Sequence, residues 1–176
     1  MKKEDVSLSF EASSIATRMW VDYSSSGTVS ESDLREFHQR MREIKEPRWN
    51  IDAWERILFR LEDDLKTEII AKEHEVIAKG DYTIGGPEGV WKVAKGPVLQ
   101  ESDYLRWNSR FTGFLQKFPG MGRWLARELT SALSTHRSSG KEVGYLNIWE
   151  IGRRKMAELP LRSDYVCDLL NGEDVF

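Results

Sequence analysis

A single cysteine, Cys167, stands in the 176-residue chain. It excludes an intramolecular disulfide framework and fits a reducing compartment. Proline is scarce, and residues 51 to 79 contain neither proline nor glycine. Nothing in that stretch breaks a helix. No apolar run approaches the roughly 20 residues of a membrane-spanning helix. The N-terminal MKKEDVSLSFE has two lysines followed at once by acids, with no apolar stretch of the signal-peptide kind. The cytoplasm is the expected location.

Catalytic signatures are equally sparse. His38, His74 and His136 are scattered, and KEHEVIAK around His74 lacks the second histidine of a zinc-protease helix. No Gly-x-Ser-x-Gly elbow occurs. Gly85, Gly86 and Gly89 are not followed by the Lys-Ser or Lys-Thr pair that holds phosphate and magnesium. Glu62, Asp63 and Asp64 read as solvated helix surface. Binding is therefore expected over catalysis.

Aromatic side chains are plentiful, with seven tryptophans and seven phenylalanines. They promise an aromatic core in one domain or two small ones. The net charge of −3 conceals an asymmetry: residues 103 to 162 hold 11 basic and 5 acidic side chains, a local excess of +6. Such a region suits an acidic partner or a nucleic acid.

Apolar spacing predicts a helix over 7–21, where Ile15 and Met19 share a face that Phe10 extends. A second is predicted from Asp33 to Glu43, with Leu34, Phe37 and Met41 on one stripe. Pro47 ends or interrupts it. Residues 51–79 predict one long amphipathic helix, or two with a break near Glu62 to Thr67. Residues 102–118 predict another, and a further helix starts near Gly122. Strands are expected at 82–84, 90–93 and 143–151, the last being VGYLNIWEI, with helix again over 152–159. The expected organisation is a helical region over 1–79, a Gly/Pro-rich connector or hairpin over 80–97, and a basic helical lobe over 98–176. The fold class is mainly α, with a minor β element.

DYSSSGTVSESD, residues 22–33, carries a specific register. Asp22, Ser24 and Ser26 supply oxygens at alternate positions, Gly27 permits a tight turn, Thr28 offers a carbonyl, Ser30 a water site, and Asp33 a closing carboxylate. The segment resembles an EF-hand loop, and Leu34 and Phe37 match the start of its exiting helix. The resemblance implies EF-hand-like N-terminal helices, and calcium on Asp22, Ser24, Ser26, Thr28, Ser30 and Asp33. With only two carboxylates, binding would be weak. The other reading needs no ion: Ser30 or Ser32 caps the helix that follows. The resemblance also implies a second hand. EDDLKTEIIAKE, residues 62–73, is a degenerate candidate, with Lys66 at a ligand position and Thr67 in place of glycine. An unbroken helix is its alternative.

Two functional expectations follow. One is a protein-binding or adaptor domain that offers a groove lined by Phe37, Met41, Trp54 and Leu58 to an amphipathic partner helix. The same spacing fits a closed core. The other rests on MGRWLARELTSALSTHRSSGKEVGYLNIWEIG. This stretch resembles the end of a winged-helix domain, including those of some viral replication primases. The resemblance implies nucleic-acid binding in viral or plasmid replication. Arg123, Arg127, Arg137, Lys141, Arg153, Arg154 and Lys155 would then contact phosphates.

Overall fold

A computed structural model describes residues 3–78, 101–138 and 148–175. Among these residues every regular element is an α-helix: α1 (Asp5–Ser26), α2 (Glu31–Glu43), α3 (Pro47–Ala78), α4 (Glu101–Leu115), α5 (Met121–Ser138), α6 (Ile148–Ala157) and α7 (Asp164–Leu170). None is long and apolar enough to cross a membrane.

Local chemistry sets the helix ends. Leu8, Ala12, Ile15, Ala16, Met19 and Trp20 recur at helical spacing and are buried along α1. Gly27 stops α1 in the left-handed region at φ 74°, and its N–H donates to the Tyr23 carbonyl at 2.8 Å. Ser30 caps α2, its hydroxyl accepting from the Asp33 N–H. Glu31 and Asp33 lie in the first turn of α2 and Arg40 and Arg42 in its last, each favourable to the helix dipole. Pro47 opens α3 at a position where its missing N–H costs nothing.

Three expectations are corrected here. The N-terminal helices do not form an EF-hand: the first five residues of the expected loop are the last turns of α1, and only residues 27–30 link α1 to α2. The minor β element is absent among the described residues. Ile148 to Ile151, the end of the expected strand, begin α6, while 143–147 and the connector 80–97 lie outside the described residues. VGYLNIWEI is rich in residues that favour strands. The residues α6 buries, Ile148, Ile151, Gly152 and Met156, follow helical spacing instead. A tertiary partner helps: the buried Glu62 carboxylate accepts the Trp149 N–H at the start of α6. Glu62 is therefore not solvated surface. Of the two readings of residues 62–73, the unbroken helix holds: they run uninterrupted through α3, and no second hand is formed.

One core joins residues from both expected regions. α1 packs on α2 and α3, α3 on α6, and α5 on α4 and α6. At the centre Phe118 meets Phe37, Phe114 and Trp54 edge-on, with ring centroids 4.9, 5.1 and 5.4 Å apart. Trp20 packs edge-on to Phe114 at 5.1 Å. Such pairs contribute about 0.5–1.5 kcal/mol each beyond burial.

The C-terminal segment straps this core. Arg42 Nε donates to the Asn171 carbonyl at 3.2 Å, and the Asp174 carboxylate accepts the Gly120 N–H at 2.8 Å and pairs with Arg123. Beneath lies His38, buried against Gly172. Burial pushes its imidazole below the ordinary value of 6.5, and Arg42 adds to this, while the Leu34 and Pro119 carbonyls oppose it. As pH falls through 6.5, the unfolded chain takes up a proton that native His38 resists. Stability should then fall with acidification, by at most about 1.4 kcal/mol per pH unit. Glu55 and Glu62 act with the opposite sign, since burial raises both and the native state takes their protons more readily. The measure is therefore a comparison. Urea unfolding of the wild type and His38→Gln at pH 7.5 and 5.5 should show the variant losing less on acidification. Equal losses would remove His38 as a source.

Candidate protein-binding surface

The residues of the expected calcium loop are occupied with one another. Ser25 and Ser26 hydroxyls donate back to the Asp22 carbonyl at 3.1 and 2.8 Å. The Thr28 N–H reaches Ser26 Oγ at 3.2 Å, and the Ser30 and Ser32 hydroxyls lie 2.9 Å apart. Ser24 sits on the exposed end of α1. Asp33 pairs with Arg18 at 2.8 Å. The Ser25, Ser26 and Ser30 hydroxyls thus serve a helix end, a turn and a cap, and the Asp33 carboxylate an ion pair. Among the described residues no group of three or more His, Cys, Asp or Glu side chains is placed to hold a metal. Titrating chelator-stripped protein with millimolar calcium or magnesium is expected to leave the Gly27 and Val29 amide signals unmoved. A saturable shift there would restore the metal-loop reading.

The expected groove residues are core. Phe37, Met41, Trp54 and Leu58 are all at most 1% exposed, so they cannot contact a partner without unfolding the domain.

The basic residues are spread, and three of the seven pair with carboxylates. Arg123 pairs with Asp174 and donates to the Gln116 carbonyl at 3.0 Å. Arg154 pairs with Glu150 at 3.1 Å and Lys155 with Glu128 at 3.6 Å. Arg127 is exposed beside Lys117 in a groove where Glu31 also lies. Arg137 belongs to α5, and Lys141 lies outside the described residues. Arg153 is engaged differently: its guanidinium lies over the Trp149 ring, 4.6 Å from the centroid.

That contact belongs to a surface that sequence reasoning did not find. Trp149 packs edge-on to Phe59 at 5.6 Å. Phe59 stands on α3 three residues beyond Arg56, on the same helix face. The Arg56 guanidinium lies over Phe10 of α1 at 5.6 Å. Phe10 with Arg56, and Phe59 with Trp149 and Arg153, therefore line up across α1, α3 and α6 as a row of three rings and two guanidinium groups. Phe10 is 62% exposed and Phe59 54%. Phe10 thus leaves the apolar face it was expected to extend. The available signal was position. Phe59 breaks the buried stripe of Trp54, Ile57, Leu58, Leu61 and Leu65, and Phe10 falls between the buried positions Ser9 and Ala12.

Beside this row a groove of about 360 Å³ opens between the start of α3 and the α6–α7 connection. Trp49, Ile51, Met156, Leu159 and Leu161 give it apolar walls, and Asp52 and Glu55 supply carboxylates. Asp52 is satisfied by Arg56 at 3.0 Å and by the Ser9 hydroxyl at 2.9 Å. Burial raises the Glu55 carboxyl above its usual range; the charge of Arg153 opposes this and that of Asp52 adds to it. Arg153 thus electrostatically links groove and row. Close approach of α3 to α6 at this seam depends on Gly152, where a side chain would meet Leu58 Cδ1 at 2.3 Å.

No protein-family model matches the chain, and no curated protein or solved structure matches it significantly.

Proposed function

We propose that this chain is a protein-binding helical module that engages its partner through the outer face of α1, α3 and α6. The observation that carries this reading is the row Phe10, Arg56, Phe59, Trp149 and Arg153, in which Phe10, Phe59 and Arg153 are exposed and Arg56 and Trp149 partly so. Aromatic and arginine side chains concentrate the binding energy of protein interfaces, because they bury large area with few rotors and pair well once water is excluded. The Phe59–Trp149 pair and the two guanidinium–ring contacts already hold these side chains, so less ordering entropy is lost on docking. The nucleic-acid reading has less support. Arg123, Arg154 and Lys155 are matched by carboxylates, and a phosphate backbone needs uncompensated charge.

A photo-crosslinking residue at Phe59, with a control at exposed Leu105 on α4, tests the proposal in the native host. The Phe59 probe should capture a protein that the control does not. That protein, purified, should bind the wild type about tenfold or more tightly than Phe59→Ala or Arg153→Ala, as expected of hot-spot contacts. No Phe59-specific adduct would overturn the reading. So would saturable single-stranded oligonucleotide binding at low salt that Arg153→Ala abolishes.

A further inference from the structure

We infer that the groove between the start of α3 and the α6–α7 connection receives a cationic amphipathic helix of the partner, with a lysine or arginine seated on Glu55. This deepens the protein-binding reading and rests on it.

The charges around the groove are unevenly satisfied. Arg48 stacks on Trp49 and pairs with Glu46 at 2.9 Å, so its charge is held at the rim. Asp52 has Arg56 and Ser9. Among the described residues Glu55 has no hydrogen bond and no ion pair within 4 Å; Arg153 acts on it only through space. A half-buried carboxylate beside apolar walls is an unfavourable arrangement in the free protein. An incoming cation relieves it and gains a charge-assisted hydrogen bond. An anionic or purely apolar occupant would worsen or ignore it.

The walls set the rest of the chemistry. Trp49, Ile51, Leu159 and Leu161, each partly exposed, present apolar surface along an open groove, with Met156 buried behind them. A helix with apolar residues at steps of three and four covers such a trough, and a basic residue at the edge of its stripe falls on Glu55. The volume, about 360 Å³, lies at the low end of ligand pockets, which suits side-chain anchors better than a bulky ligand.

The test uses the full chain and two synthetic amphipathic peptides, one built of leucine and lysine, the other of leucine and glutamate, each about 18 residues, or five helical turns. Binding is followed by amide shifts and calorimetry. The leucine–lysine peptide should shift Ile51, Glu55, Ala157 and Leu159 and bind about tenfold or more tightly than its acidic counterpart. Glu55→Gln should weaken it several-fold, and Glu55→Lys should reverse the preference. Glu31→Gln, on α2, should leave it unchanged. Equal affinity for both peptides would overturn the cation requirement, and shifts confined to other surfaces would overturn the site. Equal weakening by Glu55→Gln and Glu31→Gln would mean only general attraction to an acidic protein and would also overturn it. These failures are separable from failure of the protein-binding reading, which the Phe59 cross-link decides by itself.

Discussion

Phe118→Ala is expected to lower the unfolding free energy by about 3–5 kcal/mol, the range for removing a buried aromatic ring. Phe118 is fully buried, and its ring is shared by Phe37, Trp54 and Phe114. These partners come from α2, α3 and α4, so no single helix can move inward to fill the space. Residual cavity volume then adds to the lost transfer energy. Against a typical total of about 5–15 kcal/mol, such a loss removes a large share of the stability. Urea unfolding followed by far-ultraviolet circular dichroism measures it. Phe118→Leu, which leaves a smaller void, should lose markedly less. A loss below about 1.5 kcal/mol for alanine would show that the cluster repacks freely, against the rigid, close-packed interior expected here.

Gly120→Ala should cost about 2–4 kcal/mol, a large loss for a single added methyl. Gly120 has φ 77°, which costs an L-residue about 1–2 kcal/mol by itself. The added Cβ would also lie 2.5 Å from the Leu169 carbonyl oxygen and 2.9 Å from the Glu173 nitrogen. Both are backbone atoms and cannot swing aside. Making room means moving the C-terminal strap, and with it the Asp174 carboxylate that holds the Gly120 N–H and Arg123. Gly27→Ala is the matched control. Its φ is 74°, but nothing lies within 4 Å of the new methyl. It should therefore show only the backbone cost of about 1–2 kcal/mol. Equal losses at the two positions would mean that the strap yields without cost.

The two substitutions mark different degrees of legibility. The apolar stripes placed the helices well. Residues 33–43 became Glu31–Glu43, residues 51–79 became Pro47–Ala78, and residues 102–118 became Glu101–Leu115 followed by a turn. A long amphipathic repeat has one low-energy solution, so it can be read without a partner. The serine-rich segment misled because a metal loop and a capped turn draw on the same residues. Serine, aspartate and glycine provide ion ligands and a tight bend. They equally provide back-bonding hydroxyls, an N-cap and a left-handed C-cap. Residues 148–151 misled because isoleucine and tryptophan favour strands in isolation. Burial of Ile148 and Ile151, and the Glu62 carboxylate on the Trp149 N–H, turned them to helix.

Sequence by itself determined the helical class, the aromatic core and the caps at Gly27 and Ser30, since each is settled by spacing or by neighbours within a few residues. Tertiary structure alone decided which aromatic rings are core and which are surface. Phe37 and Phe59 are chemically identical, but one faces Phe118 and the other meets solvent beside Trp149. It also decided where charge is spent: Arg123 and Lys155, part of a basic stretch in the linear chain, meet Asp174 and Glu128. The candidate surface draws Phe10, Glu55, Phe59, Trp149 and Arg153 from three helices far apart in sequence. No local period records that meeting, because helix packing depends on the shapes of all the facing side chains at once.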